Sequence, residues 1–185
     1  MAYRRDFTKI NDIIIGDDEQ LMMAVQVADC VPLLIADRAK SVVAAVHAGW
    51  RGTAARVAVA AIEALEREFG SRPQDLVAAI GPSIGPCCYE VGSELVDAFA
   101  AAGHERYLID RWFLAPPPPR GSRERSKLHL DVPGSNRDQL VLAGVPEDQI
   151  HLSGLCTAMH LDVLTSFRVE RENAGRIVAA IRATG

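Results

Sequence analysis

Apolar residues come in short continuous runs early in the chain and at helical spacing later. Residues 31–36 and 41–47 are apolar runs on either side of Asp37-Arg38-Ala39-Lys40, the pattern of a β-hairpin with a short loop. Residues 10–15 predict a first strand, Gly16-Asp17-Asp18 a turn, and residues 21–28 a second strand. Both faces of the second strand and of the hairpin are largely apolar, so these strands are expected to lie between two layers. Pro32 has no N–H to give a ladder, which predicts a bulge or an unpaired side at that point.

Residues 54–69 are amphipathic and end at Gly70, with Thr53 as the expected N-cap. Residues 71–75 read as a loop and 76–80 as a short buried strand. Two prolines and two glycines make residues 81–86 irregular. A helix is expected over 93–102, ended by Gly103, and another over 132–143, with Asp131 as N-cap, Pro133 in its first turn and Gly144 as terminator. Residues 149–152 and 176–181 read as late strands. Between them and the first half, residues 115–127 carry four consecutive prolines and a charged, serine-containing tail, the composition of a solvated loop. Helices and strands alternate without a glycine-rich dinucleotide fingerprint, which predicts an α+β fold of layered mixed β-sheets packed with helices.

Composition adds bounds. A chain of 185 residues with 49% hydrophobic residues can bury a proper core, and one domain is the expectation over 1–185. A net charge of −4 argues against a nucleic-acid footprint. No 18-residue apolar segment is present, and residues 1–12 are polar without a signal-peptide core, so no membrane role and a cytoplasmic location are expected. Four cysteines without regular spacing do not make a disulfide framework.

The chemistry gathers around residues 28–53. With the hairpin loop centred between Arg38 and Ala39, Cys30 falls opposite His47, and directly opposed side chains sit ~4.5–5.5 Å apart at Cβ. A thiol beside an imidazole is either a nucleophile pair or two ligands of a zinc ion. Asp29 is a candidate to orient His47, to act as acid or base, or to cap the strand end. Residues 48–52 form a glycine-rich turn into a helix, where Arg51, Gly52 and Thr53 can meet an anion such as phosphate. Gly81 and Pro82 sit in a loop placed to line a pocket. Cys87 and Cys88 are adjacent thiols with redox or metal-binding capacity.

Ala28-Asp29-Cys30-Val31-Pro32-Leu33-Leu34, residues 46–52 and residues 80–92 resemble three signature blocks of the YfiH family. Its members are variously called laccase-domain proteins, multicopper polyphenol oxidases, purine nucleoside phosphorylases and peptidoglycan editing factors. Weaker echoes lie at residues 136–140, Cys156-Thr157 and Ser166-Phe167-Arg168, so the similarity runs from about Leu21 to the C-terminus. The resemblance implies a zinc site made by one Cys and two His, with Cys30 and His47 in two of those places. The family's other histidine lies upstream of the cysteine, whereas here no histidine precedes His47. Relative to the family the chain is therefore expected to lack an N-terminal portion, and His160 or, less well, His129 is a candidate replacement ligand. Arg168 matches the family's Ser-x-Arg element, but Val169 stands where a second arginine is usual.

The resemblance implies phosphorolysis and deamination of purine nucleosides, on adenosine, inosine and methylthioadenosine, with zinc as cofactor and copper as the lesser alternative. The expected partners are a small nucleoside and phosphate. A second reading makes Cys30, activated by His47, the nucleophile of an amide hydrolase acting in peptidoglycan editing, since the fold class resembles that of bacterial toxin deamidases with a Cys/His pair. A third keeps only a purine- or anion-binding pocket without catalysis. Copper-dependent phenol oxidation fits least, because a multicopper centre needs many histidines and this chain has five, scattered. An open sheet edge left by absent N-terminal strands would support a homodimer.

Overall fold

A computed structural model describes residues 12–115 and 127–184. The expected loop residues 116–126, the start of the first predicted strand and the charged leader before it lie outside the described residues. The strands and helices in chain order are β1 (Ile13–Gly16), β2 (Met22–Val27), β3 (Val31–Asp37), β4 (Val42–Ala48), α1 (Trp50–Ala54), α2 (Val57–Phe69), β5 (Leu76–Ile80), β6 (Glu90–Val91), α3 (Ser93–Ala101), α4 (Arg106–Trp112), β7 (Phe113–Leu114), β8 (Leu128–Leu130), α5 (Val132–Leu142), β9 (Ile150–Leu152), α6 (Phe167–Glu170) and β10 (Ile177–Arg182). The fold is α+β. Its main sheet has the order β1-β4-β3-β5-β9, with β5 and β9 parallel and the other pairs antiparallel. β2 and β10 form a second, antiparallel sheet, and β6, β8 and β7 a small third one.

Layering follows from the alternation along β4. Val42, Ala44, Val46 and Ala48 join the core shared with α2 and α5, while Val43 and Ala45 join the core beneath β2 and β10. Both faces of the central strands are thus covered, as the doubly apolar runs require. Leu65 on α2 is fully buried against this sheet, a contribution of about 2 kcal/mol for a leucine side chain. Among the described residues no helix is long and apolar enough to cross a membrane.

The hairpin register is shifted by two residues from the expected one: Pro32 pairs with His47, and Val31 with Ala48. The Asp37 carboxylate accepts from the Ala39 and Lys40 amides at 2.9 and 3.2 Å, and Ser41 adopts φ 53°, so the turn runs on through Ser41 before β4 begins. An even shift preserves which side chains share a face. Cys30 and His47 therefore remain on one face, diagonal rather than opposed. No bulge forms at Pro32; pairing with β5 starts only at Leu33, and the Pro32 carbonyl accepts from Gly81 N at 2.9 Å.

The helix expected over 54–69 is broken. Arg56 sits in the left-handed region at φ 62°, separating α1 from α2, and the first helix starts after Gly49. Thr53 is not an N-cap but a fully buried residue gripped by α5. Its hydroxyl accepts from Asn136 Nδ2 at 2.9 Å, and its carbonyl accepts from Gln139 Nε2 at 2.9 Å and from Arg56 N at 3.0 Å. With that carbonyl occupied, the α-helical ladder has no reason to continue. The Asp131 cap is as the sequence predicts, its carboxylate accepting from Gly134 N at 2.9 Å, and Gly144 ends the segment at φ 92°.

Short elements escaped the hydrophobic pattern. β6, β7 and β8 have two or three residues each, and α4 has seven. They close around an aromatic cluster in which Phe99 lies 6.0 Å from Trp112 and 5.2 Å from Phe113, ring centre to ring centre. His104 packs into the same cluster, and its Nε2 donates to the Ala54 carbonyl at 2.8 Å.

Burial pushes the His104 imidazole below its ordinary range, the bond to Ala54 only partly opposing it. The folded state therefore holds this ring neutral while the unfolded chain binds a proton near pH 6.5. Stability from His104 is complete above that pH and is lost as pH falls below it. In denaturant titrations at descending pH, His104→Gln, which keeps a donor for Ala54 but does not titrate, should lose less stability below pH ~6.5 than the wild type. Parallel loss in both proteins would contradict this assignment.

Candidate functional site

Asp29 joins the two sheets. The chain leaves β2 and enters β3 through this residue, which takes φ 81°, a conformation that aspartate tolerates better than most side chains. Its carboxylate is nearly buried and fully engaged: Oδ1 accepts from the Thr157 hydroxyl at 2.6 Å and Oδ2 from the Arg168 amide at 2.6 Å. Its carbonyl accepts from Ile84 N at 2.9 Å. Three segments distant in sequence are thereby pinned to one residue. Asp29 does not orient His47; that partner is Asp12.

His47 lies at the end of β4, with Nδ1 3.1 Å from Asp12 Oδ1 and its backbone N donating to the Asp12 carbonyl at 2.9 Å. The Cys30 thiol is the other side chain acting on its charge. Cys30, opposed by burial and assisted by Asp12, lifts the imidazole to about 9. Cys30 faces Gly49 across the hairpin, where an added Cβ would come 3.0 Å from its sulfur. The result is a thiol, an imidazole and a carboxylate in series.

Cys30 and Asp29 open onto a cavity of about 460 Å³ whose walls include Trp50, Tyr89, Phe167, Arg168 and Arg171. The Arg168 guanidinium lies 5.1 Å from the centre of the Tyr89 ring, and that of Arg51 4.3 Å from the Trp50 ring. Burial raises the Tyr89 phenol above its ordinary range, against the nearby charges of Arg168 and Arg51. Aromatic faces and guanidinium groups thus share one concavity with the Cys30 thiol.

Other expected residues are placed differently. Gly52 and Thr53 are buried in the helical core and offer nothing to a phosphate. Gly81 lines a separate cavity of about 210 Å³, beside Cys87 and Cys156; Pro82 is among the wall residues of neither. His160 Nδ1 bonds the Cys156 carbonyl at 2.8 Å and His129 Nδ1 the Pro86 carbonyl at 2.7 Å. Neither joins Cys30 and His47, because among the described residues the single group of three converging metal-type donors is Cys87, Cys88 and Cys156. Cys30 and His47 have the donor chemistry that zinc takes, but they are two donors where an open catalytic site uses three. The described residues therefore do not fit a complete zinc site, and no chemical step is assigned to the ion.

Asp12, Trp50, Tyr89, Phe167 and Arg171 were not singled out from the sequence as site residues. Asp12 precedes the first strand, and only the pairing of β1 with β4 brings it to His47. The second thiol cluster had one visible half, Cys87-Cys88, while its third member arrives from 68 positions further on.

Residues 2–184 match the family described as multi-copper polyphenol oxidoreductase laccase. The chain is 36% identical over 170 residues to a purine nucleoside phosphorylase of Bacteroides thetaiotaomicron, covering 92% of this chain and 60% of that one. It is 37% identical over 174 residues to adenosine deaminase RL5 of an unknown prokaryotic organism, covering 94% and 60%. The crystal structure of the Bacillus licheniformis hypothetical protein YfiH superimposes with a TM-score of 0.83 at 34% identity, covering 94% of this chain and 61% of that one. The chain thus spans about 60% of the length of the curated relatives it matches.

The carboxylate of Asp29 should be the costliest polar group of the site to remove. Asp29→Ala strands the Thr157 hydroxyl and the Arg168 amide and is expected to lower the unfolding free energy by about 3 kcal/mol. Asp29→Asn, which keeps the left-handed tolerance and one acceptor, should cost roughly half of that. Denaturant unfolding checks the pair; an alanine variant as stable as wild type would contradict the clamp.

Proposed function

We propose, for a chain that belongs to the multi-copper polyphenol oxidoreductase laccase family, that the Cys30 cavity binds a purine nucleoside together with phosphate and supports its phosphorolysis. The single observation that carries this reading is the composition of the cavity. Trp50, Tyr89 and Phe167 supply faces for a flat heterocycle, and Arg168 and Arg171 supply cationic forks for an anion beside it. Relatives bearing the names purine nucleoside phosphorylase and adenosine deaminase support the substrate class.

In phosphorolysis a phosphate oxygen bonds to the sugar C1′ as the C1′–N9 bond breaks, and the electron pair leaves with the purine. The work of the protein is positioning and charge stabilisation. Arg168 is held for this task from its backbone, since its amide is fixed on Asp29 while its guanidinium rests over Tyr89. Adenosine deamination at the same site replaces the C6 amino group by a water oxygen and releases ammonia. Zinc enters the proposal only through donor chemistry, Cys30 and His47 being two side chains of the types that would help to hold it.

One observation favours a second reading. The series Cys30, His47, Asp12 has the order of a thiol nucleophile, a protonated imidazole partner and an orienting carboxylate. Amide cleavage by a free Cys30 thiolate uses the same residues, and a zinc-engaged thiolate cannot perform it.

Chromatography of adenosine incubated with the purified, zinc-supplemented protein, with and without phosphate, tests the first reading. Phosphate-dependent adenine and ribose 1-phosphate are expected, with inosine as the product of deamination. Arg168→Ala should reduce the phosphate-dependent rate by about 100-fold, and Cys30→Ala should abolish turnover. Absence of phosphate-dependent cleavage, combined with rapid alkylation of Cys30 that zinc does not slow, would transfer the assignment to amide chemistry.

A further inference from the structure

Cys87, Cys88 and Cys156 bring their three sulfur atoms within 4.8 Å of one another, away from the Cys30 cavity. Two segments of chain make the cluster. Residues 85–88 form a turn closed by Cys88 N donating to the Gly85 carbonyl at 3.0 Å, which sets Cys87 and Cys88 side by side. Cys156 is carried in by a parallel bridge to Ser83 and by Thr157 N donating to the Ser83 carbonyl at 3.0 Å. The Gly85 amide donates to the Cys156 sulfur at 3.3 Å, a bond that suits sulfur carrying negative charge.

We propose that these three cysteines form a trithiolate site for a single cuprous ion. The donor set selects the ion. Among the described residues no imidazole or carboxylate joins the three sulfurs, so hard cations such as magnesium or calcium have nothing to take. Soft thiolate sets bind cuprous ion, zinc and iron–sulfur clusters. Zinc held by three cysteines needs a water as its fourth ligand and clusters use a fourth cysteine, whereas three sulfurs complete the shell of a cuprous ion by themselves. Access is open, because Cys87 is exposed, while Cys88 is half-buried and Cys156 buried. The adjoining 210 Å³ cavity is lined mainly by apolar groups, among them Ile80, Leu152 and Leu155, which keeps competing oxygen donors away.

Such an ion would fasten two walls of the nucleoside cavity. Cys88 is followed by Tyr89, and Cys156 by Thr157, whose hydroxyl holds Asp29. Metal at the thiol cluster therefore ties the segment carrying Tyr89 to the segment that anchors Asp29. This role is structural, and it is independent of what Cys30 and His47 bind.

The test uses Cys30→Ser as host, so that the other thiol of the candidate site cannot take copper. The reduced, metal-free host is titrated anaerobically with cuprous ion against a chromophoric cuprous chelator, and the bound metal is examined by X-ray absorption. One equivalent bound with three sulfur neighbours is expected. Adding Cys87→Ser or Cys156→Ser should weaken binding by at least about 100-fold, since loss of outer-sphere partners alone costs up to that much. Cys87 is exposed and its replacement leaves the core intact, so that variant stays informative if Cys156→Ser fails to fold. Undiminished copper binding in the Cys87→Ser variant would overturn the site. Zinc retained in preference to cuprous ion in a mixed titration would overturn the assignment of the ion.

Discussion

The arrangement depends on one carboxylate at a backbone corner. Asp29 turns the chain from the two-stranded sheet into the five-stranded one at φ 81°, and from that corner it holds Thr157, Arg168 and Ile84. Without it, three segments widely separated in sequence have no common anchor. With it, the aromatic and cationic walls of the cavity are set against the thiol of the next residue. A charged acceptor that is nearly buried and fully satisfied contributes both stability and position.

The same economy governs Cys30, His47 and Asp12. Burial on both faces of β3 and β4 means that polar groups on these strands can appear only where a covering layer ends. Cys30 and His47 lie on the face carrying the small β2–β10 sheet, at the end of the hairpin away from its turn, and both retain partial exposure. Asp12, just before β1, reaches His47 because β1 pairs with β4. A strand order that brings the first strand beside the fourth thus supplies the carboxylate that the hairpin itself lacks.

Much of this was legible in the chain. The doubly apolar runs predicted sandwiched strands, and Cys30 and His47 were matched to one face despite a register two residues out, because side-chain parity survives an even shift. The turn was misplaced because the Asp37 side chain and the left-handed Ser41 lengthen it, and neither effect is visible in hydrophobicity. Thr53 looked like a cap because its hydroxyl needs a partner near a helix start; the partners are Asn136 and Gln139, more than eighty residues away. Asp12 and Cys156 went unassigned for the same reason: their neighbours are set by strand order and loop anchoring. Local chemistry was readable, and long-range polar pairing was not.

The most direct measurement is a crystal structure of the protein with a non-cleavable carbon-linked purine nucleoside analogue and phosphate. The account predicts the heterocycle against Trp50, Tyr89 and Phe167, with phosphate within hydrogen-bonding distance of the Arg168 and Arg171 guanidinium groups and the sugar between them, near Cys30. A nucleoside bound instead in the smaller cavity beside Cys87 and Cys156, or phosphate bound away from both arginines, would contradict it.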